Sequence, residues 1–86
     1  MKLVVISPHA QHEYNVQWIE AHTSSGMLIV KIGHVPMIST LIPGFNFLFV
    51  LSSTDEKKII HLSRPGFLEV NRTEVLVITS QDITLI

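Results

Sequence analysis

The chain has 86 residues, which predicts one domain over residues 1–86, and its 6 Lys and Arg residues nearly balance its 7 Asp and Glu residues. The cations are scattered along the sequence, so no basic stripe could follow a phosphate backbone, and we expect no nucleic-acid partner. The chain has no cysteine, which excludes a disulfide scaffold and a thiolate metal site. No apolar run reaches the roughly 18 residues of a membrane helix.

Short strand-like runs, separated by turn signals, follow one another along the whole chain. In chain order they are residues 2–6, 16–23, 27–32, 36–42, 45–52, 57–63, 67–70 and 75–79, with residues 83–86 as a candidate edge strand. The turn Pro43-Gly44 is a strong breaker, and residues 53–56 form the clearest hairpin loop. Because no amphipathic stretch could supply a crossover helix, the spacing predicts an all-β sandwich or barrel.

Alternation within these runs predicts which side chains are buried. The predicted core residues are Ile19, Ala21, Leu28, Val30, Ile38, Leu62, Val75 and Val77. Trp18 is then directed outward, because neighbouring side chains of a strand point to opposite faces. An exposed Trp is a favoured interface anchor, whereas a Trp that covers a sheet edge or packs on the N-terminal loop is structural. Both interpretations of Trp18 stay open.

The chain shows little that could carry chemistry. His9 and His12 are spaced like two metal ligands, but zinc needs three or four converging ligands and no others cluster nearby. Asn71-Arg72-Thr73 matches a glycosylation sequon, which we interpret as a turn in which Asn71 bonds its own backbone. There is no nucleophile motif, no evident carboxylate pair and no glycine-rich phosphate loop. We therefore expect no catalytic residue, no metal and no cofactor.

Lys57 and Lys58 beside the predicted hairpin suggest an alternative function. Lipoyl and biotinyl carriers are β-domains of similar length that bear a modified lysine at a hairpin tip. Here both lysines follow Asp55-Glu56 and begin a strand, where edge charges that prevent aggregation are the simpler interpretation. A small soluble carrier module remains the alternative to the function described next.

The stretch from Gly26 to Gly44, GMLIVKIGHVPMISTLIPG, resembles a segment of the epsilon subunit of F-type ATP synthase. In that family a glycine-rich turn leads through a strand to Gly-His-Ala-Pro, a short apolar strand and a further turn. The residues in register with it are Gly26, Gly33, His34, Pro36, Ser39 and Gly44. Residues 59–70 and 75–82 resemble later strands of the same domain, so the resemblance covers essentially the whole chain.

The sequence also departs from the family pattern. Met27 and Ile29 stand where the family has Glu and Gly, Val35 replaces the Ala of Gly-His-Ala-Pro, and Arg64-Pro65-Gly66 replaces a Gly-Gly turn. Most members carry a C-terminal helical hairpin after the sandwich, whereas this sequence ends at Ile86. On that ground we expect the regulatory braking attributed to the hairpin to be missing.

The resemblance implies a β-sandwich or flattened barrel of about ten strands at the foot of the central stalk. Such a domain would be a non-catalytic rotor part that binds the gamma subunit and the polar loops of the c-ring. Its contact residues would be Ser25, Gly26, Met27, Gly33, His34, Pro36 and Ser39. The expected location is the cytoplasmic face of the bacterial inner membrane, or its organellar equivalent, with membrane contact only through the c-ring.

Overall fold

A computed structural model describes residues 1–83, and eight β-strands in this part of the chain form one hydrogen-bonded system. The strands are β1 (Lys2–Ile6), β2 (Gln11–Thr23), β3 (Gly26–Lys31), β4 (Met37–Leu41), β5 (Asn46–Leu51), β6 (Lys57–His61), β7 (Gly66–Val70) and β8 (Glu74–Thr79). The all-β prediction is confirmed. The described residues form eight strands instead of about ten, and one long strand, β2, takes part in both layers of the sandwich. Ile83 is not in a strand, and the remainder of the predicted edge strand lies outside the described residues.

Strand β2 connects the two layers. Its residues 11–15 pair with β1, and the rest of the strand pairs with β3 on one side and β5 on the other. The pairing with β5 shifts register between Val16 and Trp18, which marks a β-bulge at Gln17. A bulge bends and twists the strand that contains it, and such bends are where strands pass from one layer to the next.

Two layers result from this path. The five-strand layer has the order β2–β1–β8–β7–β4, in which β1 and β8 are parallel and the other pairs are antiparallel. The four-strand layer has the order β3–β2–β5–β6. Thr23 at the end of β2 also pairs with Leu41 at the end of β4, so the layers join again there. The fold is therefore a flattened barrel.

The hydrophobic core lies between the layers. Its largest fully buried side chains are Phe47, Phe49, Leu3, Ile19, Leu41, Ile60 and Leu68. Each such side chain contributes about 1.5–3 kcal/mol when it leaves water. Of the residues predicted to be buried, six are confirmed: Ile19, Ala21, Val30, Leu62, Val75 and Val77. Leu28 is only half-buried and packs at the margin of the core.

The prediction that Ile38 is buried is wrong. Its side chain is 75% exposed, because the side chains of β4 that point into the core are those of Ser39 and Leu41. The sequence of this strand has apolar residues on both phases, so alternation alone could not choose between them. Pairing with β7 decides the matter: Ile38 lies opposite Glu69, and both side chains point to solvent.

Side chains fix two of the turns. The Asn71 carboxamide oxygen accepts hydrogen bonds from the backbone N–H groups of Thr73 at 3.1 Å and Glu74 at 2.7 Å, which confirms the turn predicted from the sequon. The Gln81 carboxamide oxygen accepts from the N–H groups of Ser63 at 2.8 Å and Arg64 at 3.0 Å. Gln81 therefore ties the turn between β6 and β7 to the end of β8, a role that local sequence patterns do not reveal.

We predict that Leu68→Ala lowers the free energy of unfolding by about 3 kcal/mol, because it leaves a cavity in the core. Ile38→Ala, in the neighbouring strand of the same layer, should change it by less than about 0.5 kcal/mol, because that side chain is already in water. Urea denaturation of both variants measures the difference. Equal losses for the two variants would contradict the strand phases described above.

We also predict that Gly66→Ala destabilises the domain by about 1–3 kcal/mol. A Cβ atom at Gly66 would lie 2.8 Å from the backbone carbonyl oxygen of Ile78, so the pairing of β7 with β8 would have to open. Thr40→Ala, an exposed change in the adjacent strand, is the control and should be close to neutral. Thermal unfolding followed by circular dichroism checks this, and an unchanged midpoint for Gly66→Ala would contradict the close approach.

Candidate partner-binding surface

The predicted contact residues fall into two groups that lie at opposite ends of β3. Ser25, Gly26 and Met27 belong to the hairpin between β2 and β3, whereas Gly33, His34 and Pro36 lie in the loop between β3 and β4. A six-residue strand separates the groups by about 17–20 Å. The structure therefore does not gather the predicted residues into one patch.

The first group forms what we call the hairpin tip, residues 24–27. The Thr23 hydroxyl donates to the Gly26 carbonyl at 2.8 Å and accepts from the Ser25 N–H at 3.1 Å. Gly26 has a φ of +112°, a conformation that side-chain-bearing residues rarely adopt. Ser25 and Met27 are exposed. The Thr23 hydroxyl thus holds the backbone of the hairpin tip in place. The tip has a polar end and one exposed apolar side chain.

Ser39 differs from the other predicted contacts because its side chain is buried. Its hydroxyl lies 3.5 Å from the Ser24 hydroxyl, and the Ser24 N–H donates to the Thr40 carbonyl at 3.0 Å. Ser39 thus contacts the hairpin tip through the Ser24 side chain. Its burial does not support direct contact with a partner.

The second group forms the β3–β4 loop, residues 32–36. The Gly33 N–H donates to the Arg72 carbonyl at 2.8 Å, which anchors the loop to the turn between β7 and β8. The half-buried His34 imidazole donates from Nδ1 to the Val35 carbonyl at 2.7 Å. Ile32 and Val35 are 68% and 69% exposed. The loop therefore holds a defined backbone while presenting two large apolar side chains to solvent.

Sequence reasoning missed an apolar surface on the outside of the five-strand layer. We call it the apolar face, formed by Ile38, Phe67, Leu76 and Ile78. Phe67 is 59% exposed and Ile78 43% exposed, and these two lie directly opposite each other on β7 and β8. The alternation in β7, with Leu68 and Val70 inward, would have placed Phe67 outside. Exposed apolar patches of this kind often mark interaction sites.

A groove continues the apolar face toward the β3–β4 loop. Its volume is about 330 Å³, and its lining residues are Pro36, Met37, Ile38, Glu69, Val70 and Asn71. Pro36 belongs to the loop and Ile38 to the apolar face, so the two form one continuous surface.

Trp18 is half-buried on the outside of the four-strand layer, between Lys31 of β3 and Val50 of β5. It directly follows the bulged residue of β2, and its side chain is partly accessible to solvent. Met27 and Ile29 of β3 are exposed on the same side. Both roles considered for Trp18 are compatible with this position, and its role as a partner anchor stays a prediction.

The lysines considered as carrier sites do not lie at a hairpin apex. Lys57 is the first residue of β6 and pairs with Val50, and Lys58 follows it in the strand. The Lys58 ammonium lies 3.1 Å from the Glu56 carboxylate, and this hydrogen bond lowers the pKa of Glu56 below its ordinary value. The geometry is that of strand-edge charges and differs from that of a modified lysine on a protruding turn.

The two histidines considered as metal ligands have other neighbours. The His9 imidazole lies 3.0 Å from the Asp82 carboxylate, and the His12 ring stacks near the Tyr14 ring with centroids 6.4 Å apart. Within residues 1–83 no group of three or more His, Cys, Asp or Glu side chains is arranged to hold a metal ion. No helix in this part of the chain is long and apolar enough to cross a membrane.

Known proteins share this architecture. A chain of the Euglena gracilis mitochondrial ATP synthase (OSCP/F1/c-ring) superposes with a TM-score of 0.79 at 23% identity, over 96% of this chain and 51% of that one. A chain from the Tetrahymena thermophila mitochondrial ATP synthase central stalk and c-ring gives a TM-score of 0.72 at 13% identity, over 98% of this chain and 65% of that one. This chain therefore spans about half the length of the first and less than two thirds of the second. Both likenesses are of fold.

The family model for the ATP synthase delta/epsilon chain β-sandwich domain matches residues 1–84. The match covers every strand described above, and it agrees with the resemblance seen in the stretch from Gly26 to Gly44. The chain belongs to the family of ATP synthase delta/epsilon β-sandwich domains.

Proposed function

We propose that this domain is a non-catalytic rotor part of an F-type ATP synthase, which links the gamma subunit to the c-ring during ion-driven ATP synthesis. Membership in the delta/epsilon family is the observation that carries the proposal. The Tetrahymena relative, which belongs to a central stalk and c-ring assembly, has the same fold. In this role the domain contributes stiffness and contact surfaces, and the chemistry takes place elsewhere in the complex.

The two separated contact groups suit a link between two partners. The β3–β4 loop and the apolar face expose Ile32, Val35 and Ile38, which fit a packed protein interface with the gamma subunit. The hairpin tip exposes Ser25 and backbone groups, which fit the polar loops of the c-ring. Between them, the strands of the sandwich form a hydrogen-bonded body that can transmit torque.

The same proposal implies a location for the domain. It would lie at the membrane face that carries the catalytic head and touch the membrane only through the c-ring. In a bacterium this is the cytoplasmic face of the inner membrane. The relatives from Euglena and Tetrahymena belong to mitochondrial enzymes, so the organellar equivalent has the same support.

We predict that His34→Ala weakens binding of the domain to its gamma subunit about tenfold, because the substitution removes a side chain from the proposed contact loop. The midpoint of thermal unfolding should stay within a few degrees, since His34 is only half-buried. His61→Ala, an exposed histidine on β6, is the matched control and should bind normally. Lower stability with unchanged affinity would show that His34 is structural.

Cysteine cross-linking can separate the two partners, because the chain has no cysteine of its own. In the assembled complex, Ser25→Cys at the hairpin tip should cross-link to a c-ring subunit. Val35→Cys in the β3–β4 loop should cross-link to the gamma subunit. Thr54→Cys, at the exposed turn between β5 and β6, serves as the control for random collision. Cross-links from both test positions to a single partner would contradict the assignment of the two groups.

A further inference from the structure

Glu69 borders the apolar face on the outside of the five-strand layer. Glu69 pairs with Ile38 of β4 on one side and with Leu76 of β8 on the other. Phe67, two residues earlier in β7, points to the same side of the sheet. Its carboxylate is exposed, and within residues 1–83 it forms no ion pair. It also lines the groove that joins the apolar face to the β3–β4 loop. This carboxylate is thus flanked by apolar side chains on both neighbouring strands and at position 67, whereas Asn71 and Glu74 lie on its remaining side.

Lys2, the cation among the outward-facing strand residues of this layer, is already engaged. Lys2 forms an ion pair with Glu13 at 3.0 Å, and it lies opposite Glu74 on β8. Both carboxylates raise the pKa of Lys2. The outward-facing strand residues of this layer include three carboxylates, at positions 13, 69 and 74, and one ammonium group, a net charge of −2 (3 negative, 1 positive) before Arg72 of the adjoining turn is counted.

Charge and apolar surface together define what can cover this face. An apolar partner with no cation would bury the Glu69 carboxylate unpaired, which opposes binding. A partner that places a Lys or Arg opposite Glu69 gains a hydrogen-bonded ion pair beside the apolar contact. A second copy of this chain fits poorly, because a two-fold axis at the face would bring one Glu69 toward the other and oppose equal negative charges.

We propose that Glu69 is a specificity-determining residue, which pairs with one Lys or Arg of the protein surface that docks on Ile38, Phe67, Leu76 and Ile78. The inference rests on the proposed function, in which the docked protein is the gamma subunit. The apolar side chains provide most of the buried contact area, and the ion pair determines which partner binds and in which register.

Calorimetric titration of the whole chain into purified gamma subunit tests this. Glu69→Gln should weaken binding about tenfold or more, and Glu69→Lys about a hundredfold or more, because a like charge then faces the cation. Glu20 provides the matched control: it lies between Ile29 and Leu48 on the outside of the other layer, and Glu20→Gln and Glu20→Lys should bind within about twofold of the parent. All four variants should unfold at nearly the parent temperature.

A charge swap completes the test. Changing the basic residues of gamma one at a time to Glu should identify one that restores binding of the Glu69→Lys variant. If the parent chain binds gamma and the Glu69 variants bind equally well, this inference fails and the proposed function stands. If Ile38→Asp abolishes binding while Glu69→Lys does not, the face docks without an ion pair and the inference also fails. If the parent chain does not bind gamma, or sedimentation shows it self-associating through this face, both the inference and the proposed function fail.

Discussion

The bend in β2 at Gln17 organises the fold, because it lets a single strand belong to both layers. Thirteen extended residues would span about 43 Å, whereas the longest dimension of the domain is 27 Å. The bulge lets one strand pair with β1 in the first layer and with β3 and β5 in the second. The Gln17 carboxamide donates to the Asp55 carboxylate and to the Leu51 carbonyl, so the bulged residue is also tied to the β5–β6 hairpin.

Strand pairing determines which surfaces reach solvent. After the bulge, β2 runs beside β3, and β3 in turn separates the hairpin tip from the β3–β4 loop. On the other layer, β4, β7 and β8 turn Ile38, Phe67 and Ile78 outward while their neighbours fill the core. In the function proposed here, the polar end, the apolar loop and the apolar face would contact two different partners.

Much of this fold could be predicted from the sequence, because turn residues and alternation are local signals. The bulge could also have been predicted. Val16, Ile19 and Ala21 are all buried, which is incompatible with strict alternation but compatible with one extra residue at Gln17. Which side chains of β4 point inward could not be predicted, because Ile38 and Leu41 are both apolar. Only the pairing with β7 determines that Leu41 is buried and Ile38 exposed. The contact residues came from family resemblance, so the apolar face was missed, although alternation in β7 already directs Phe67 outward.

We propose that this domain links gamma to the c-ring as part of the rotor. The most direct measurement is an electron cryomicroscopy map of the complete ATP synthase purified from its source through a tag on this chain. We predict that the sandwich lies at the foot of the central stalk, with the hairpin tip at the c-ring and the β3–β4 loop at gamma. A map of the intact enzyme without the sandwich at that position, or with it bound outside the rotor, would contradict the account.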